Sequence, residues 1–130
     1  MVELVDDLLA TDLAHAVARS ARLRVAIGTG EDGAPRLREP IGGSLLVTGV
    51  SGGGKSTKVA GILEQLAAHG FQYGVVDPEG DYGELEGAVV LGDTDRAPRV
   101  PEAMEILARL DGNLVLNLLG VDLADRPGFL

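Results

Sequence analysis

The sequence contains no cysteine and no tryptophan, and only 3% of it is aromatic. Without thiols there is no disulfide and no thiolate metal site. That absence suits a reducing compartment, and a cytoplasmic location is the expectation. With two Tyr and two Phe, a core has to be built from Leu, Val, Ile and Ala. Positive charge is scarce: 11 Lys and Arg stand against 20 Asp and Glu, a formal net charge of -9. Duplex-DNA binders displace counterions with a dense basic surface, and this chain offers none by itself. No apolar run approaches the ~20 residues that cross a bilayer. The start, Met1-Val2-Glu3-Leu4-Val5-Asp6-Asp7, lacks the basic region of a signal peptide. No membrane association is expected.

What the chain does have is apolar mass and punctuation. Hydrophobic residues make up 45% of its 130 residues, enough to bury a core and fitting one domain or a large piece of one. The 19 glycines cluster at turns, as in a chain that alternates elements and loops. Val2, Val5, Leu8, Leu9, Leu13 and Val17 recur at helical spacing, so a helical segment is expected over 1–20. Arg22-Leu23-Arg24-Val25-Ala26-Ile27 alternates like a half-buried strand, and Arg36-Leu37-Arg38-Glu39 can return as its partner. Residues 21–43 therefore read as a hairpin and linker.

From Ser44 the pattern becomes that of an α/β domain, read over 44–130. Leu45-Leu46-Val47-Thr48 predicts a strand buried on both faces. Val59, Ile62, Leu63 and Leu66 predict an amphipathic helix stopped by Gly70. Strand-like runs follow at 71–76, 88–91 and 113–118. A helix over 101–110 separates the last two, with Pro101 in its first turn and Ile106, Leu107 and Leu110 facing inward. Strands alternating with helices argue for a mostly parallel sheet.

Gly49-Val50-Ser51-Gly52-Gly53-Gly54-Lys55-Ser56 matches G-x-x-x-x-G-K-[ST], the Walker A pattern, and Thr57 follows it. A triphosphate needs many donors at close range. Glycines at 49, 52, 53 and 54 let the backbone curl around Ser51 so that successive N–H groups point inward. The helix beginning near Lys55 adds its positive dipole end. Lys55 can reach the β- and γ-phosphates, Ser56 can ligate Mg²⁺, and Thr57 can bond a phosphate nearer the sugar. A glycine-rich turn of no function would not explain a lysine opening a helix against the dipole.

A second cluster, Asp77-Pro78-Glu79-Gly80-Asp81-Tyr82, follows the 71–76 run. Ligands of open α/β sheets bind outside the carboxyl ends of strands, which places Asp77 and Glu79 toward the phosphate side. The competing reading is a solvated acidic loop. Arg96 and Arg99 read as surface residues, and His15 and His69 show no ligand spacing. Asn117 ends the fourth run with no role assigned.

Leu46-Val47-Thr48-Gly49 through Ser56, with Gln72-Tyr73-Gly74-Val75-Val76-Asp77-Pro78-Glu79-Gly80-Asp81-Tyr82, resembles the HerA/FtsK-like P-loop ATPases, the DUF87 helicase-related branch. The resemblance covers about residues 44–92 and extends less securely to Asn117-Leu118-Leu119-Gly120-Val121. It implies a P-loop three-layer sandwich, ATP and Mg²⁺ as cofactors, and Lys55 on the phosphates. It places Ser56 on the metal, with Asp77 in the acidic box as a second metal candidate, and Lys55, Asp77 and Glu79 as the catalytic candidates. It also implies a homo-oligomer, with DNA as a partner of the full-length protein. Residues 2–13 resemble the last helix of haloacid-dehalogenase-like hydrolases. One departure stands out: no apolar run ends in the Asp-Glu pair that such ATPases use for Mg²⁺ and water. The expectation is a partial domain that binds nucleotide and needs residues beyond this chain for hydrolysis. Two alternatives are a small-molecule kinase similar to adenylylsulfate kinases and a non-catalytic nucleotide-binding module. The segment Asp77–Gly92 has no Arg or Lys, which counts against the kinase.

Overall fold

The computed structural model describes residues 24–39 and 43–128. The helix expected over 1–20 and the resemblance at 2–13 lie outside them. The chain divides into two compact units, 1–48 and 49–130.

In the first unit, β1 (Val25–Thr29) and β2 (Pro35–Arg38) pair antiparallel, as the alternation over 22–39 predicts. A bulge between Ala26 and Gly28 shifts the register. Asp32 holds the turn: its Oδ1 accepts the Ala34 N–H at 3.1 Å, and its Oδ2 meets Arg36 at 3.2 Å. Val25 is buried, whereas every residue of β2 is exposed.

The strand expected over 45–48 is absent. Residues 44–50 join no strand, and Leu45 and Leu46 remain 53% and 86% exposed. An apolar run favours burial, but a strand also needs a neighbour to receive its N–H and C=O groups. No ladder receives this segment among the described residues.

The second unit is α/β. It contains α1 (Lys55–Ala68), β3 (Gly74–Asp77), β4 (Ala88–Leu91), α2 (Val100–Leu107), β5 (Asn113–Asn117) and a 3₁₀ turn at Arg126–Gly128. β5 lies between β3 and β4 and is parallel to both, with Asp77 opposite Asn117 and Leu91 opposite Leu116. Alternation along β5 sends Val115 to one face and Leu114 and Leu116 to the other. On the first face Ala60, Leu63 and Ala67 of α1 pack with Tyr73, Leu85 and Val115. On the second, Ala103 and Ile106 of α2 pack with Leu114, Leu91 and Leu116. Helix, sheet and helix make the three layers of a partial P-loop fold.

Both helices differ in detail from the spacing argument. The inward line of α1 runs through Ala60, Leu63 and Ala67, where two small residues let it approach the sheet; Val59, Ile62 and Leu66 are half-buried beside it. Gly70 does end α1, at φ 76°, with Phe71 N–H donating to Leu66 O at 3.0 Å. Helix α2 stops at Leu107, so Leu110 falls outside it and is 97% exposed. The chain has to reverse there to enter β5, and Gly112 lies so close to the Ile106 carbonyl that a Cβ would collide with it. The Gln72 Nε2 lies within 3.2 Å of the carbonyls of Leu107, Arg109 and Gly112 at this exit.

Candidate functional site

The candidate site lies between the loop that leads into α1 and the loop beyond the carboxyl end of β3. The first wall is the glycine-rich loop leading into α1. Gly52 and Gly54 have φ of 73° and 79°, conformations a side chain would strain. Val50 O accepts from Gly53 N–H at 3.1 Å and from Lys55 Nζ at 2.9 Å, closing the loop on itself. The first helical bond runs from Lys58 N–H to Gly54 O at 2.9 Å. The N–H groups of Lys55, Ser56 and Thr57 thus precede the ladder. The N-cap Gly54 provides no side-chain acceptor for them, and the first turn has no acidic residue. A long helix with uncapped donors and a lysine at its first position is arranged for an anion.

The second wall is the acidic box after β3, and Asp77 builds it. This carboxylate is 1% exposed. Its Oδ1 accepts the N–H groups of Glu79, Gly80 and Asp81 at 3.3, 2.8 and 3.1 Å, and its Oδ2 accepts Tyr82 N–H at 2.9 Å. Four backbone donors converge on one side chain because Gly80, at φ 78°, turns the chain back over it. A Cβ on Gly80 would sit 2.7 Å from Leu119 Cδ1. From outside, Arg126 ties the box to the segment after β5: its Nη1 donates to Pro78 O and its Nε to Val121 O, each at 3.1 Å.

Between the walls lies a cleft of about 380 Å³, lined by Ser51, Gly52, Gly54, Lys55, Ser56, Thr57, Glu79 and Asp81. Of the residues singled out in the sequence, most of the 49–57 loop and Glu79 meet here. Gly49 and Gly53 shape the loop without lining the cleft, and Asp77 is turned away from it into its own turn. The residue that sequence reasoning passed over is Asp81. Ser56 Oγ donates to Asp81 Oδ2 at 2.5 Å, linking the two walls. Nothing in the spacing distinguished it from the other carboxylates of the box. Tyr82 joins the contact. Burial is the main cause that raises its hydroxyl above the usual tyrosine value; a hydrogen bond with Ser56 opposes this, and the charges of Asp81, Asp77 and Glu79 add to it.

The remaining candidates fall elsewhere. Arg96 and Arg99 both pair with Glu102, at 2.5 and 3.8 Å. The His69 ring nitrogen Nδ1 meets Gln65 O at the exposed end of α1. Asn117 is buried, and its Oδ1 accepts Leu119 N–H at 2.9 Å, shaping the exit of β5. No group of three or more His, Cys, Asp or Glu among the described residues could hold a metal ion by itself. No described helix is long and apolar enough to cross a membrane.

No curated protein and no solved structure matches the chain. The family model described as the central domain of helicase HerA (DUF87) does match it, over residues 36–125. That span is well over half of the sequence and holds both walls of the cleft, so the chain belongs to the HerA central-domain family, with that family's P-loop fold and nucleotide-binding ATPase character.

Proposed function

We propose that the chain binds ATP·Mg²⁺ in the cleft between the Walker A loop and the acidic box, as part of a HerA/FtsK-like ATPase. The observation that carries this reading is the uncapped start of α1, with Lys55 facing a carboxylate-lined wall across a cleft of about 380 Å³. The free N–H groups at 55–57 bind phosphate oxygens. Lys55 exchanges its bond to Val50 O for the outer phosphates, and Thr57 holds the phosphate nearer the sugar.

The donor set fits a magnesium nucleotide. Mg²⁺ characteristically takes one or two protein oxygens and completes its shell with phosphate and water, and this cleft offers the Ser56 hydroxyl and nearby carboxylates rather than a closed cage. Ser56 would hold the ion, and Mg²⁺ there would supply positive charge to offset the negative charge of the phosphates. Glu79, one of two carboxylates lining the cleft, is assigned to orienting water. Asp77, with both oxygens on backbone donors, is assigned to holding the box in shape rather than to the metal. The sequence contains no Asp-Glu pair, so binding without efficient turnover is the expected behaviour of these residues. Assembly with further copies and action on DNA belong to the larger ATPase, since a net charge of -9 gives this chain no counterion-releasing surface of its own.

Calorimetric titration of ATP with Mg²⁺, alongside a phosphate-release assay, tests the reading. Saturable binding with little release is expected. Lys55→Ala should weaken it ~10-fold or more, the size of a lost hydrogen bond to a charged group. Equal binding by wild type and variant would sink the proposal.

A further inference from the structure

We infer that Asp81 is the outer-sphere carboxylate of the cation that accompanies the nucleotide, acting through Ser56. This inference rests on the nucleotide reading above and adds to it a positioning residue. Three observations lead to it. Asp81 is the carboxylate that touches the phosphate loop, through the Ser56 Oγ bond. Its backbone is fixed, because its N–H is one of the four held by the buried Asp77. It also faces the same cleft as Lys55 and the free N–H groups.

The chemistry follows from what a serine hydroxyl carries, one proton and two lone pairs. With the proton committed to Asp81, the oxygen offers one lone pair to the Tyr82 hydroxyl that shares the contact and one to a metal, in a fixed orientation. The Asp81 carboxylate keeps further acceptor capacity for water on the metal. Outer-shell partners of this kind orient ligands and raise metal affinity, and removing one typically costs about 10- to 100-fold. The two-wall arrangement gives the residue a second consequence of opposite sign. Without a cation, a carboxylate beside the phosphate loop repels a triphosphate; with one, it helps retain the complex.

That change of sign is the test. ATP binding is measured by calorimetry in Mg²⁺ and in EDTA for wild type, Asp81→Asn and Asp81→Glu, with a circular dichroism melt of each apo protein. The expected result is that Asp81→Asn binds ATP in EDTA as well as wild type or better, yet loses most of the tightening that Mg²⁺ gives, ~10-fold or more. Asp81→Glu, which keeps the charge, should recover part of it and serves as the test should the asparagine variant not fold. A general structural defect would weaken both conditions together, and that outcome overturns the inference. So does a variant that keeps the full Mg²⁺ increment, while nucleotide binding itself stands. If wild type binds no ATP in either condition, the nucleotide reading fails and the inference falls with it.

Discussion

Asp77 and Asp81 lie four residues apart with the same carboxyl group and do different work. Asp77 is 1% exposed and accepts four backbone N–H groups, whereas Asp81 is exposed and receives the Ser56 hydroxyl. Asp77→Asn is therefore expected to destabilise the second unit. An amide would turn two hydrogens toward converging donors and leave at least one buried N–H unsatisfied, a loss of about 2–3 kcal/mol. Urea unfolding at neutral pH measures it; an unchanged midpoint would show that the turn stands without the carboxylate. The sequence placed both residues at a strand's carboxyl end but not their roles, since roles depend on which way each side chain leaves a turn set by Gly80.

Among the elements, α2 shows how local pattern and tertiary context divide the work. Pro101 and the apolar spacing started the helix where expected, but its end was decided by the return into β5. There Gln72, from the segment before β3, gathers three carbonyls at 107, 109 and 112. Its amide has two hydrogens, so it serves two of them at any moment. Gln72→Ala should free these carbonyls to water and fray the exit of α2, at about 1 kcal/mol. Hydrogen exchange at residues 108–112 should accelerate while the β5 amides stay protected; uniform acceleration would instead point to a global effect. A helix-period pattern cannot reveal such a cap, because the donor comes from more than thirty residues away.

For the whole molecule, the apolar core of the second unit buries Tyr73 beneath α1, at 7% exposure. Burial first, then the charge of Glu64, raises its hydroxyl above the usual value near 10. The neutral form is thus favoured in the fold, and the resulting stability is present in full below the unfolded value. It is lost as pH rises through the higher folded value. Urea unfolding free energy should fall above pH ~10, and Tyr73→Phe should flatten that fall. A slope unchanged in the phenylalanine variant would assign the alkaline loss to other groups. The -9 net charge acts on the molecule as a whole too, favouring solubility and opposing contact with a polyanion.

The sequence alone determined what short-range physics governs. It set the glycine-rich loop before a helix, the hairpin turn, the Gly70 stop, the three strand runs of the parallel sheet and the scarcity of basic charge. These follow from neighbours within a few residues, where spacing and backbone freedom suffice. Tertiary structure alone decided that residues 44–48 join no strand, that Ala60, Leu63 and Ala67 form the inward line of α1, and that Asp77 closes a turn. It also decided that Asp81 meets Ser56, 25 positions away in the chain. A strand needs a partner's hydrogen bonds and a carboxylate's role depends on what faces it, and both are settled only when distant segments come together.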